Sequence, residues 1–266
     1  MAILIKGCWK SRVFRICLLT IFLFFIFTCC VHAKSLCIVT LNNAPQAYME
    51  NGSPAGFLVE MVEEAVRRSG YSADIYIVPW IRALALVRSG DADAIFHAYH
   101  TEERKKFLRY TDTSLLQEKV VAIRRKGDDV YFDLNFSGAE KYIAGVGRDY
   151  SYGEKVDQAL KEKKFKRIEV ASDFDLNVQK LLYGRIDFFF ADYYPVLKIL
   201  NDKHLLDEVE PVLSTETGLP LVYSKSESYL AFSRKTKSEV FIKVNSALKQ
   251  MKVDGTFKQI MLRYVQ

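Results

Sequence analysis

Twice along the chain a short apolar run gives way to a segment whose apolar residues recur at three and four, and then to another run. The first pass reads LCIVTL (36–41), FLVEMVEEAVRRSG (57–70), ADIYIV (73–78), WIRALALVRSG (80–90) and ADAIF (92–96). In its second segment Leu58, Met61 and Ala65 and Val59, Val62 and Val66 line one helical stripe, and Gly70 ends it. The second pass reads YIAGV, a helical stretch over 152–163, RIEVA, DFDLNVQKLLYG and RIDFFFA. Such β-α-β-α-β order predicts mainly parallel strands covered by helices, the α/β class. Both passes also place helix, Gly, two residues, Asp and an apolar strand in that order, at Gly90 with Asp93 and at Gly184 with Asp187. Two lobes of like topology are therefore expected.

Between the passes LQEKVVAIR (116–124) reads as an extended connection, and the chain is expected to return through 213–223 by way of Gly218-Leu219-Pro220. The tail carries a strand, YLAFS (229–233), and helical periodicity over 238–264 broken at Asp254-Gly255. If that tail packs on the first lobe, two strands cross between lobes and frame a cleft. The expected division is 1–33 as leader, 34–119 and 218–266 as the first lobe, and 120–217 as an inserted second lobe.

The leader reading rests on Lys6, Lys10, Arg12 and Arg15 ahead of an apolar run over 16–31, with Val31-His32-Ala33 as a cleavage signal. Export with removal after Ala33 is expected; the alternative is an uncleaved leader that anchors the protein to the inner membrane. Without these residues the 38 Lys and Arg fall by 4 to 34 against 32 Asp and Glu, a net charge of +2. No basic cluster with interleaved aromatics occurs, so no nucleic-acid partner is expected. Four of the five cysteines lie in the leader, which leaves Cys37 as a small buried hydrophobe of the first strand. No phosphate-binding Gly-Lys-Ser/Thr loop is present, and no cofactor is expected.

PAGFLVEMVEEAVRRSG (54–70), VPWIRALALVRSGDADA (78–94), TEERKKFLRYTD (101–112), GRIDFFFAD (184–192) and YLAFSRK with VNSALKQMKVDGTFKQI (229–260) resemble the type II extracellular solute-binding proteins, which include polar amino acid receptors of ABC importers. The resemblance covers most of the chain after the leader. It implies a periplasmic-binding-protein-like fold in which two βα lobes, joined by a two-strand hinge, close on a small ligand.

Residue by residue, it implies that Arg104 of the Thr-x-x-Arg turn opened by Thr101 forks onto a ligand carboxylate. A planar guanidinium suits that task, although a cation three residues past a helix cap opposes the macrodipole. It implies that Asp192 takes an amino group; the residues equally allow Asp192 to cap a helix from Tyr194-Pro195. Trp80 and Tyr48 would be aromatic walls, and Ser151, in Gly147-Arg148-Asp149-Tyr150-Ser151-Tyr152-Gly153, an anion donor. Where the family carries Gly and Thr before the Thr-x-x-Arg turn, this chain has His97, Tyr99 and His100, which would narrow or repolarise the pocket. His97, His100 and Glu103 lack a metal-binding spacing, so no metal is expected.

The function implied is an exported, monomeric receptor for an amino-acid-like zwitterion or carboxylate, presented to an ABC permease and not an enzyme. Two alternatives on the same fold are a dehydratase acting on a cyclic carboxylate and a sensing subunit working through another protein.

Overall fold

The structure is a computed structural model that describes residues 34–264. The expected leader, with its cleavage site, its possible use as an anchor and four of the cysteines, lies outside the described residues.

In chain order the elements are β1 (Ser35–Thr40), β2 (Tyr48–Glu50), β3 (Ser53–Ala55), α1 (Phe57–Arg68), β4 (Ser72–Ile77), α2 (Trp80–Ser89), β5 (Ala94–Tyr99), α3 (Glu102–Lys105), β6 (Leu108–Tyr110) and β7 (Leu116–Arg125). There follow β8 (Ile143–Gly147), α4 (Glu154–Lys161), β9 (Arg167–Ala171), α5 (Phe174–Leu182), β10 (Phe188–Asp192), α6 (Tyr193–Asp202), β11 (Val209–Pro211), β12 (Ser224–Ser233), α7 (Ser238–Val253) and α8 (Thr256–Leu262). Each run of the double rhythm becomes the element its periodicity predicts.

One sheet carries both lobes, in the order β4-β1-β5-β12-β7-β10-β8-β9. At one end β1 lies parallel to β4 and β5; at the other β8 and β10 are parallel, as are β8 and β9. The two passes thus build the same plan, strand-helix-strand-helix-strand, and each third strand is flanked by an antiparallel crossover strand, β12 beside β5 and β7 beside β10. The crossover strands pair with each other through Ser224–Ser228 and Leu116–Val120. Short β2, β3, β6 and β11 were not legible as runs.

Apolar stripes explain the packing. α1 buries Leu58, Val59, Met61, Val62, Ala65 and Val66 against Leu36, Ile38 and the α7 residues Val244 and Leu248. At about 1.5–3 kcal/mol for a fully buried large aliphatic side chain, this face outweighs the helix's own propensity. The opposite sheet face is covered by Trp80, Ala83 and Val87 of α2. In the second lobe one face is covered by an aromatic cluster around Phe132, Phe188, Phe190 and Tyr223, the other by Val178 and Leu181 of α5 and Val196 and Leu200 of α6. Cys37 is half-buried on β1, and burial raises its thiol pKa.

Candidate functional site

The cleft floor begins with an irregularity in β5. Ala98 pairs with Tyr229 and Ile95 with Ala231, so Phe96 and His97 together face Leu230, a β-bulge. His97 adopts φ 66, a left-handed conformation that costs a non-glycine residue about 1–2 kcal/mol. The bulge brings its buried imidazole against Glu118 of β7 and Asp192 of β10. Nε2 lies 3.3 Å from Glu118 Oε1 and 3.8 Å from Asp192 Oδ2.

Around this triad the polar contacts continue. Tyr99 Oη donates to Asp192 Oδ1 at 2.6 Å, Gln46 Nε2 donates to Glu118 Oε1 at 2.8 Å, and Asn43 Nδ2 donates to Gln46 Oε1 at 3.1 Å. The Asn43 amide also lies 3.3 Å from His97 Nε2. Gly56 matters here: at φ 116 it enters α1, and a Cβ would meet the Gln46 carbonyl oxygen at 2.4 Å. Only glycine lets this turn hold Gln46 in place. Burial opposes a charge on His97, but hydrogen bonds and the charges of Asp192 and Glu118 outweigh it and hold the pKa up to about 9. Burial and the Asp192 charge raise the pKa of Glu118 as well. Its Oε2 is buried with no hydrogen-bond partner.

Arg104 sits beside this floor. Thr101 caps α3 as its sequence predicts, accepting from the Arg104 N–H at 3.1 Å. The Arg104 side chain turns inward, 5.2 Å over the Trp80 ring, and donates to the Tyr99 carbonyl at 3.3 Å and to the Asp149 carbonyl at 2.7 Å. Burial lowers its pKa, yet an arginine stays charged. Among the described residues no carboxylate pairs with its guanidinium. Trp80 Nε1 donates to the same Asp149 carbonyl at 3.1 Å. The turn that carries Asp149 is fastened by Asp157, which accepts from Ser151 Oγ at 2.5 Å and from the Tyr152 N–H at 2.7 Å.

Leu41, Trp80, His97, Tyr99, Arg104, Tyr150, Ser151, Phe174 and Asp192 enclose a cavity of about 30 Å³. A larger hollow of about 960 Å³ shares Tyr99 with it and is otherwise bordered by exposed side chains such as Glu154, Lys155 and Glu162 together with His100 and Tyr229. It has no buried charge to orient a ligand, so the chemistry points to the smaller cavity.

The structure therefore brings Arg104, Asp192, Trp80, Tyr99 and Ser151 together, with Thr101 shaping the turn beneath Arg104. It does not bring Tyr48 or His100 to the cavity. Tyr48 is held on the β2–β3 hairpin opposite Ala55. His100 stacks on Tyr110 at 3.9 Å and Tyr229 at 4.5 Å, because adjacent extended residues point to opposite sides and Tyr99 takes the inward direction. Asp192 precedes α6 without capping it through its side chain. His97, His100 and Glu103 are parted, Glu103 pairing with Arg88 at the surface.

Glu118, Gln46, Asn43, Tyr150 and Phe174 escaped the sequence reading. Glu118 had a signal: it is in phase with Val120 and Ala122, both buried on one face of β7.

Comparison with known proteins agrees with this architecture. The L-cystine-binding protein TcyA of Bacillus subtilis (strain 168) is 23% identical over 209 residues, 79% of this chain and 72% of that protein. The putative amino-acid ABC transporter-binding protein PatH of Vibrio harveyi is 23% identical over 225 residues, 83% of this chain and 84% of its own. An ancestral arginine-binding protein solved with arginine superposes with a TM-score of 0.74 at 21% identity, covering 88% of this chain and all of that one. The profile of one family matches residues 36–266, nearly everything the fold contains, and on that match the chain belongs to the bacterial extracellular solute-binding proteins, family 3.

Proposed function

We propose that this solute-binding protein is exported to the periplasm, captures a small amino-acid-like solute by its carboxylate, and presents the closed form to an ABC permease in the inner membrane. The observation that carries this reading is Arg104: a buried guanidinium, stacked on Trp80, whose donors among the described residues meet only backbone carbonyls. A solute carboxylate would replace the Asp149 carbonyl on Arg104 and Trp80 and gain a bidentate charge-assisted contact. Asp192 would meet the amino group, with Trp80, Tyr99 and Ser151 completing the wall. The names of the cystine- and arginine-binding relatives support an amino-acid-like ligand, and that of PatH supports the ABC partner.

A cavity of about 30 Å³ holds roughly one water, so capture requires the lobes to part. The hydrogen bonds from Arg104 and Trp80 to Asp149 and from Tyr99 to Asp192 resist this, as does the His97–Asp192 contact. The lobes divide near 119/120 and 217/218, the protein acts as a monomer, and binding proceeds without turnover.

Calorimetric titration with individual amino acids and small carboxylates tests the reading. Saturable one-to-one heat is expected, weakened on the order of a hundredfold by Arg104→Ala, since two hydrogen bonds to a charged group are lost. Binding that ignores the substitution, or equal affinity for the decarboxylated amine, would overturn it.

A further inference from the structure

The triad beneath the clamp is built like a cation site. We propose that His97, Glu118 and Asp192 bind one divalent transition-metal ion of the zinc class on the cleft floor. Their ligand atoms all lie within 4.8 Å of one another. The His97–Glu118 separation of 3.3 Å equals the edge of a tetrahedron with bonds of about 2.0–2.1 Å, and the His97–Asp192 separation of 3.8 Å needs only a small adjustment.

A second observation points the same way. Glu118 is completely buried, yet its Oε2 has no hydrogen-bond partner. An orphaned carboxylate oxygen in the interior costs about 1–3 kcal/mol or more, and a metal ion held by both Glu118 oxygens would satisfy it. Asp192 already has an orienting donor on its other oxygen, from Tyr99, as ligating carboxylates do, and Gln46 steadies Glu118 by donating to Oε1.

Charge completes the argument. Arg104 directs its guanidinium at the Tyr99 and Asp149 carbonyls and not at the triad. With a neutral imidazole and a divalent ion the sum is zero. Imidazole with two carboxylates suits zinc, cobalt or nickel, whereas calcium and magnesium demand more oxygens than these residues offer. The small cavity beside the triad can hold a water as fourth ligand.

The probes are Zn²⁺ and Co²⁺ added to the purified, EDTA-treated protein, followed by calorimetry and visible spectroscopy. One equivalent of Zn²⁺ is expected to bind, Co²⁺ is expected to give the intense bands of four-coordinate geometry, and His97→Ala and Glu118→Gln are expected to weaken binding on the order of a hundredfold. Arg104→Ala should leave metal affinity unchanged while it weakens solute capture on the order of a hundredfold, so this site and the solute reading can fail separately. If His97→Ala does not fold, the near-isosteric Glu118→Gln and the Co²⁺ spectrum decide. No saturable binding, a six-coordinate Co²⁺ spectrum, or binding removed by His204→Ala and not by Glu118→Gln would overturn the proposal.

Discussion

Two regions of the same sheet face differ by only two residues along the chain. On β10, Phe188 and Phe190 enter the aromatic cluster and Asp192, next in phase, enters the cleft floor. On β7, Val120 and Ala122 join that cluster while Glu118 joins the floor. The cluster is dense: Phe132 lies 4.7 Å from Phe188 and 4.9 Å from Tyr223. The floor instead holds an imidazole in a left-handed conformation, two carboxylates and an orphaned oxygen. Apolar burial next door makes this tolerable, because a strand anchored by phenylalanines keeps its register while its next inward residue faces an unfavourable environment.

The largest expected effect lies in the cluster. Phe190→Ala removes a fully buried ring and should cost about 3–5 kcal/mol in denaturant unfolding. A cost below roughly 1 kcal/mol would mean that the cluster does not anchor the floor.

A matched pair of hydroxyl deletions sharpens the contrast. Tyr99→Phe strips the donor from a carboxylate and should cost about 1.5–3 kcal/mol, whereas Tyr223→Phe strips one from the Phe132 carbonyl at 3.0 Å and should cost about 0.5–1.5 kcal/mol. Equal costs would show that the floor's charge is not what distinguishes it.

The smallest effect is a surface control. Hydrogen bonds from Arg67 and Arg68 hold the Glu64 pKa down to about 2, below its ordinary 4.5. A depressed carboxylate stabilises the fold above about pH 4.5 and loses that contribution as pH falls through about 2. The melting temperature of Glu64→Gln should therefore fall less steeply over that interval than that of the parent, and identical slopes would assign acid sensitivity to other groups.

Much of this was written in local periodicity, which is why the two passes could be read. The three-residue strands β2, β3, β6 and β11 could not, since so few residues establish no alternation. Arg104 was legible because Thr101 fixes its turn by a local cap. Its main partner was not, because the Asp149 contact is a backbone carbonyl that any residue type supplies. Tyr48 and His100 carried suitable chemistry but the wrong direction, which pairing in a hairpin and alternation at a strand end decide. Glu118 lay in plain phase with its neighbours, but it gains meaning only when β5 and β10 bring His97 and Asp192 from 21 residues before and 74 residues after it.

The pairing of the two crossover strands has a mechanical consequence. Because 224–228 and 116–120 are hydrogen-bonded to each other, the lobes are linked by a ribbon and not by separate swivels. A ribbon of this kind would act as a torsion flexure, spreading any parting of the lobes over many small dihedral changes. Glu118 lies on this ribbon, opposite Ser226, so if the lobes part for a solute as proposed, the twist would pass through the residue that also forms the cleft floor.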